Sequence, residues 1–305
     1  MHPPIPESTG LLPFEYQGET FETWYRVVGD LKAGHRPVVI LHGGPAFPSV
    51  YLHAHDELYT SQGIPVVYYH QLGCGNSTHL PEKPKEFWTV ELFIAELENV
   101  LPKLNVGDDF DLLGHSWGAM LATEYVAARQ PAGLKRLVLA NGPASMALYK
   151  ACAAKLMASD RYPPGFLDAM RKHEEELTVA SAEYQGGSYL YLQKHTCTVD
   201  PWPQELQAAF GELLKDPTVL RALFGDFILS CNGNLVGWSV EDKVAKIAYP
   251  TLVINGSEDT AQDECIAPFF HGIPKVRWVR YAKSSHMPWF EEREVYFRDL
   301  RDFLK

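Results

Sequence analysis

Phe110-Asp111-Leu112-Leu113-Gly114-His115-Ser116-Trp117-Gly118-Ala119-Met120 carries the strongest fold signal in the chain. Its first four residues read as a short strand buried on both faces, and Trp117 to Arg129 carries helical spacing. Between them Gly114-x-Ser116-x-Gly118 supplies a tight strand-to-helix turn, whose small residues allow a strained backbone that lifts Ser116 Oγ above the sheet.

The same buried-strand signature recurs on both sides of the elbow. It is seen at Val38 to Leu41 after Pro37, at Val66 to Tyr69 after Pro65, and at Leu137 to Leu139. It returns at Thr251 to Ile254, with Val276 to Tyr281 a last candidate. Continuous apolar runs of this length predict a mostly parallel sheet, while the alternating Phe21 to Gly29 predicts an antiparallel strand at the sheet's start. Helical segments are predicted at Val50 to Gln62, Thr89 to Leu104, Trp117 to Arg129 and Glu291 to Leu304, with apolar spacings of three and four that present one face to the sheet. After Asn141-Gly142-Pro143 the strand rhythm stops and resumes only at Pro250. The expected organisation is therefore an α/β core at residues 1–142 and 246–305, with an inserted helical cap at 143–245.

Composition narrows the functional classes. The 305 residues are 46% hydrophobic and 21% charged, as in an ordinary globular chain, and the net charge of −11 with no basic cluster argues against nucleic-acid and anionic-membrane partners. Five widely spaced cysteines with no CxxC pair suggest neither a disulfide framework nor a zinc site. The opening Met1-His2-Pro3-Pro4-Ile5-Pro6-Glu7 lacks a basic and an apolar targeting region, and no apolar stretch approaches the roughly 18 residues of a membrane helix. A reducing, cytoplasmic setting is expected.

A serine hydroxyl needs a base, and the base needs a carboxylate to orient it. On an elbow of this type the acid and then the histidine follow the serine in sequence, each on a loop after a strand. Asp259 follows the strand ending at Ile254, and His286 follows the strand ending at Tyr281. Glu258 and Asp263 are rival acids, less well placed for the turn. His42, His70 and His115 also end strands, but none follows the acid, so they are expected to support the site rather than act as its base. Oxyanion donors are expected from the N–H groups of Gly44, in His42-Gly43-Gly44-Pro45, and of Trp117. Pro45 is expected to hold Gly44 extended.

Taken together, HGGP at 42–45, GCGNS at 73–77, GHSWGAM at 114–120, GSED at 256–259 and SHM at 285–287 resemble the α/β-hydrolase family of proline iminopeptidases, which includes the tricorn-interacting aminopeptidase and bacterial L-amino acid amidases. The likeness runs from about residue 20 to the C-terminus. It implies an α/β-hydrolase fold, a Ser116-Asp259-His286 triad, an oxyanion hole at Gly44 and Trp117, and a helical cap at 143–245, to which KHTCTVDPWPQEL (194–206) and the stretch from Gly233 to Trp238 belong. Two departures stand out. The family's Asp-Gln-Arg-Gly reads His70-Gln71-Leu72-Gly73 here, and the cap glutamates that hold a substrate's α-ammonium have no clean counterpart; Glu212 and Asp226 are the nearby acids.

Trp202 and Phe227 join Asp226 and Glu212 as candidate substrate-binding residues, among cap aromatics that include Tyr184, Tyr189, Tyr191, Phe210, Phe224 and Trp238. The expected activity is cofactor-independent serine hydrolysis of an amide or small ester through an acyl-enzyme, on a small molecule or short peptide. A specialised ester, lactone or thioester hydrolase without aminopeptidase activity is the near alternative, and a non-catalytic binding module on the same fold the distant one.

Overall fold

The computed structural model describes residues 5–227 and 231–305. Among these, β1 (Glu7–Tyr16), β2 (Glu19–Val28), β3 (Val38–Leu41), β4 (Val66–Tyr69), β5 (Phe110–His115), β6 (Leu134–Ala140), β7 (Thr251–Gly256) and β8 (Val276–Tyr281) form one sheet in the spatial order β1-β2-β4-β3-β5-β6-β7-β8. From β4 across to β8 every neighbouring pair is parallel; β1 and β2 are antiparallel to their neighbours. Every residue of β3, β4, β5 and β7 is buried, so these strands carry mainly apolar runs instead of alternation, with Asp111, His115, Thr251 and Asn255 as buried polar members. Strand β1 is an addition to the sequence reading. Its Gly10 and Pro13 interrupt any strand pattern and most of its residues are exposed, as an edge strand allows, yet it pairs with β2 along its whole length.

The core helices are α1 (Glu57–Gln62), α2 (Val90–Lys103) and α3 (Trp117–Arg129), and after the insert α9 (Asp263–Gly272), α10 (Pro288–Glu291) and α11 (Arg293–Leu304); the insert between them holds α4 (Met146–Met157), α5 (Phe166–Glu175), α6 (Ala182–His195), α7 (Gln204–Lys215) and α8 (Thr218–Leu223). Helix α2 starts where Thr89 accepts the Leu92 N–H, and it buries Phe93, Leu97, Val100 and Leu101. Two expected helices are interrupted. Ser49–Asp56 is a 3₁₀ segment that leads into α1, its Val50, Tyr51, His53 and His55 being weak helix formers. The terminal helix breaks at Glu292, whose carboxylate turns back to accept from the Lys283 N–H and the Ser284 hydroxyl.

Helices α4 to α8 lie between β6 and β7, which are adjacent and paired, so the whole segment leaves the sheet and returns at one point. A bridge between Ser145 and Ser239 joins its two ends. Part of it has a small core of its own around Ala153, Met157, Met170, Tyr184 and Tyr191, while α7 and α8 pack into the main core through Leu206, Ala209, Val219 and Leu223. The connection from β3 runs to β4 on one side, whereas β5 lies on the other, so the loops after β3 and β5 diverge and leave a crevice at the strands' C-terminal ends. No helix among the described residues is long and apolar enough to cross a membrane.

Candidate active site

The crevice is built around the turn between β5 and α3. Ser116 stands there at φ 56° and ψ −119°, a region that a residue with a Cβ occupies at a cost of about 1–3 kcal/mol and only when its surroundings enforce it. The enforcement is visible. Ser116 N–H donates to Ala140 O across to β6, and Gly118 packs so closely on β3 that a Cβ would lie 2.1 Å from Leu41 O. Facing this turn, the loop after β3 brings Gly44 to the same crevice, at φ 114°. The extended backbone expected from Pro45 is thus corrected to a left-handed one that glycine alone adopts freely, and a Cβ there would meet the N atoms of Ala46 and Phe47 at 2.7 Å. Trp117 is the first residue of α3, so its N–H has no partner within the helix; its indole N–H donates to Gln71 Oε1 at 2.8 Å.

Asp259 is fully buried just past β7 and is held on three sides. His286 Nδ1 and the Ala261 N–H meet its Oδ1 at 2.8 and 3.0 Å, and Asn141 Nδ2 donates to Oδ2 at 2.7 Å. Because Nδ1 carries the hydrogen of that bond, a neutral His286 has its lone pair at Nε2. The rival acids are engaged elsewhere: Glu258 pairs with Arg161 of the insert, and Asp263 with Arg280 and Asn255. The loop bearing His286 is clamped by Glu291, which accepts from Ser285 N–H, Ser285 Oγ and Met287 N–H and also from Thr198 of the insert.

The three other strand-end histidines are buried and neutral. Burial drives His42 down to about 4 and takes His70 and His115 well below the ordinary histidine value. His115 Nε2 faces the His286 carbonyl at 3.0 Å and so must carry the hydrogen, leaving Nδ1 to accept from Tyr51 Oη at 2.7 Å. Tyr51 Oη in turn accepts the Gly43 N–H at 2.8 Å. This directed chain ties the glycine loop, the elbow and the His286 loop into one rigid unit.

A cavity of about 390 Å³ opens over Ser116 and His286, between the sheet and the insert. Its walls include Gly44, Phe47, Tyr51, Tyr149, Tyr184, Tyr191, Phe210, Phe224, Asp226, Phe227 and Met287. Of the residues expected to bind substrate, Asp226 and Phe227 therefore line it and Glu212 and Trp202 do not. Glu212 is on the solvent face of α7, paired with Lys215, where a half-exposed carboxylate keeps its hydration. Trp202 stacks on Phe210 at 5.1 Å, one layer behind the wall. Asp226 is also half exposed and is paired with Arg221 at 3.0 Å. Tyr189 is mainly exposed, and neither it nor Trp238 is in the wall. Asn141, Tyr51, Tyr149, His195 and Thr260 are not among the residues expected for the site; His195 lies within KHTCTVDPWPQEL, but nothing in that stretch marks its place, because each of the five meets the site only through long-range packing.

The alpha/beta hydrolase family model matches residues 38–299, and the chain belongs to that family. It is similar to the proline iminopeptidase of Lactobacillus delbrueckii subsp. bulgaricus, with 30% identity over 93% of this chain and 94% of the relative. Among solved structures it is similar to VinJ, at 43% identity and a TM-score of 0.91 over 97% and 98% of the two chains. It is also similar to the proline iminopeptidase of Mycobacterium smegmatis, at 34% identity and a TM-score of 0.88 over 97% of each chain. The chain is thus a hydrolase of this family, peptidase-like by the names of its relatives.

Proposed function

We propose that this α/β hydrolase is a cofactor-independent serine hydrolase that cleaves an amide or small ester through an acyl-enzyme. The reading is carried by the bond from His286 Nδ1 to the buried Asp259 carboxylate beside a cavity that Ser116 also lines. In the first step Ser116 Oγ attacks the substrate carbonyl while His286 Nε2 takes its proton, and Asp259 stabilises the imidazolium so formed. The N–H groups of Gly44 and Trp117 receive the developing oxyanion. His286 then gives the proton to the leaving group, and water, deprotonated by the same nitrogen, hydrolyses the acyl-enzyme. The insert, residues 143–245, acts as a cap that closes the cavity over the elbow and sets the substrate's shape.

The aromatic walls favour an apolar or aromatic acyl group. Among the described residues Asp226 is the one acid in the wall, and its exposure and its pairing with Arg221 leave it little charge to offer a substrate ammonium. Glu174 is buried behind the wall and accepts the Tyr184 hydroxyl. Discrimination in favour of a free amine is therefore expected to be weak, despite the likeness to proline iminopeptidases.

A fluorophosphonate probe should label the wild type at Ser116 and fail to label Ser116→Ala. Aminoacyl anilides, their N-acetylated forms and simple acyl esters should then separate the substrate classes. Absence of labelling would return the chain to a binding role. A preference for free over acetylated amine of about a hundredfold, or about 2.7 kcal/mol, would restore an aminopeptidase.

A further inference from the structure

Helix α6 contributes Tyr184, Ser188, Tyr191 and His195 to the cavity wall, a spacing of four, three and four that puts all of them on one face. Two polar atoms on this face, Ser188 Oγ and His195 Nε2, are buried without a hydrogen-bond partner. Buried polar atoms are nearly always satisfied, so an orphan acceptor on a side chain that lines a substrate cavity points to a ligand group that completes it.

The protonation of His195 follows from its other nitrogen. Nδ1 lies 2.5 Å from the backbone carbonyl of Glu258, which can only accept, so Nδ1 carries the hydrogen and Nε2 presents a lone pair. Burial, at 2% residual exposure, keeps the ring neutral, and its ordinary pKa is pushed down to about 4. Contact with the Tyr191 ring, at 4.6 Å between centroids, fixes its plane. Glu258 immediately precedes Asp259, so the same turn that carries the proposed catalytic acid orients this acceptor.

We propose that His195 Nε2 is a substrate-binding acceptor for an N–H group carried by the acyl part of the substrate, either an amide or an amine. This rests on the hydrolase reading above and names the chemistry of its substrate. The acyl side is assigned because the leaving atom must stand where His286 can protonate it, which leaves no role for a second acceptor there. A neutral imidazole accepts from amide N–H and from ammonium alike, whereas a carboxylate would favour the cation. An otherwise aromatic pocket with such an acceptor suits N-acylated or free aminoacyl groups bearing an apolar side chain.

The test compares the 4-nitrophenyl esters of N-acetyl-L-phenylalanine and of O-acetyl-L-phenyllactate, which differ by N–H against O. The wild type should favour the N–H ester in kcat/KM by about ten- to a hundredfold, equivalent to about 1.4 to 2.7 kcal/mol. His195→Phe should reduce this ratio to below about threefold, mainly by slowing the N–H ester. A ratio near one in the wild type, or a parallel loss on both esters in the variant, would overturn the assignment.

Because His195→Phe also removes the bond to Glu258, a second measurement leaves the residue in place. In ¹⁵N-histidine-labelled Ser116→Ala protein, the Nε2 resonance of His195 should shift on adding N-acetylphenylalanine methyl ester and stay fixed with the acetyl-phenyllactate ester. No shift, or equal shifts with both, would also overturn it. Failure of the hydrolase reading would instead show as absent fluorophosphonate labelling, which this spectroscopic result does not require.

Discussion

Replacing Glu96 by glutamine should make the protein more stable above neutral pH, and by an amount that can be worked from its surroundings. Glu96 is fully buried on α2; it accepts the Thr23 hydroxyl at 2.6 Å on one oxygen and the Leu72 N–H at 3.0 Å on the other. Burial disfavours the charged carboxylate more than these two bonds favour it, and the pKa rises from 4.5 to about 7. Between those values the folded state holds a proton that the unfolded state has lost, so the group's contribution to stability falls as pH rises. Carrying the carboxyl from 4.5 to about 7 amounts to a loss of about 3 kcal/mol, complete above pH 7.

Glutamine reproduces the protonated acid: its oxygen can accept from Leu72 and its amide can donate to Thr23. Urea unfolding followed by tryptophan fluorescence, at intervals from pH 4.5 to 8, should therefore show Glu96→Gln equal to the wild type at the acid end and more stable by about 3 kcal/mol at the other. Subtracting the two curves cancels every other titrating group. A difference that does not change with pH, or a variant less stable than the wild type at pH 8, would mean that Glu96 is not held protonated by its burial.

Removing the amide that holds the second oxygen of Asp259, by Asn141→Ala, deletes a hydrogen bond to a charged group worth about 1.5–3 kcal/mol. If it serves to position the acid, ester hydrolysis should show kcat down about tenfold to a hundredfold with KM little changed. Asp259→Asn should lower kcat by orders of magnitude, as expected for loss of the correct histidine tautomer; a greater loss from Glu258→Gln or Asp263→Asn, measured on the same ester, would move the role to that residue. Glu212→Gln, on the solvent face of α7, should alter urea-unfolding stability by no more than about 0.5 kcal/mol and leave KM for aminoacyl anilides unchanged. Asp226→Asn, at the wall, should raise that KM only slightly; a large rise would assign it the ammonium.

Features that depend on neighbours along the chain are legible in the residues alone. Phe110 to Leu113 runs straight into Gly114-x-Ser116-x-Gly118, and a strand, turn and helix in succession leave one arrangement open to the backbone. The recurring buried runs read out a parallel sheet because its central strands β3, β4, β5 and β7 are covered on both faces. Chain order and position after a strand were then enough to single out Asp259 and His286, which the fold brings to 2.8 Å across 27 residues. Edge strand β1 carries no such signature, because an exposed strand needs no apolar pattern.

Contacts between distant segments set the rest. Asn141 reaches Asp259 across 118 residues and His115 reaches the His286 carbonyl across 171, and no local pattern encodes either meeting. The cap residues show the limit most clearly. Glu212, Asp226 and His195 are all polar residues in helical or turn segments, yet one faces water, one pairs half-exposed with Arg221, and one is buried with an unpaired nitrogen at the cavity wall. Those differences are set by which face of each helix the sheet and its neighbours cover, a property of packing between distant segments that spacing along a single helix does not specify.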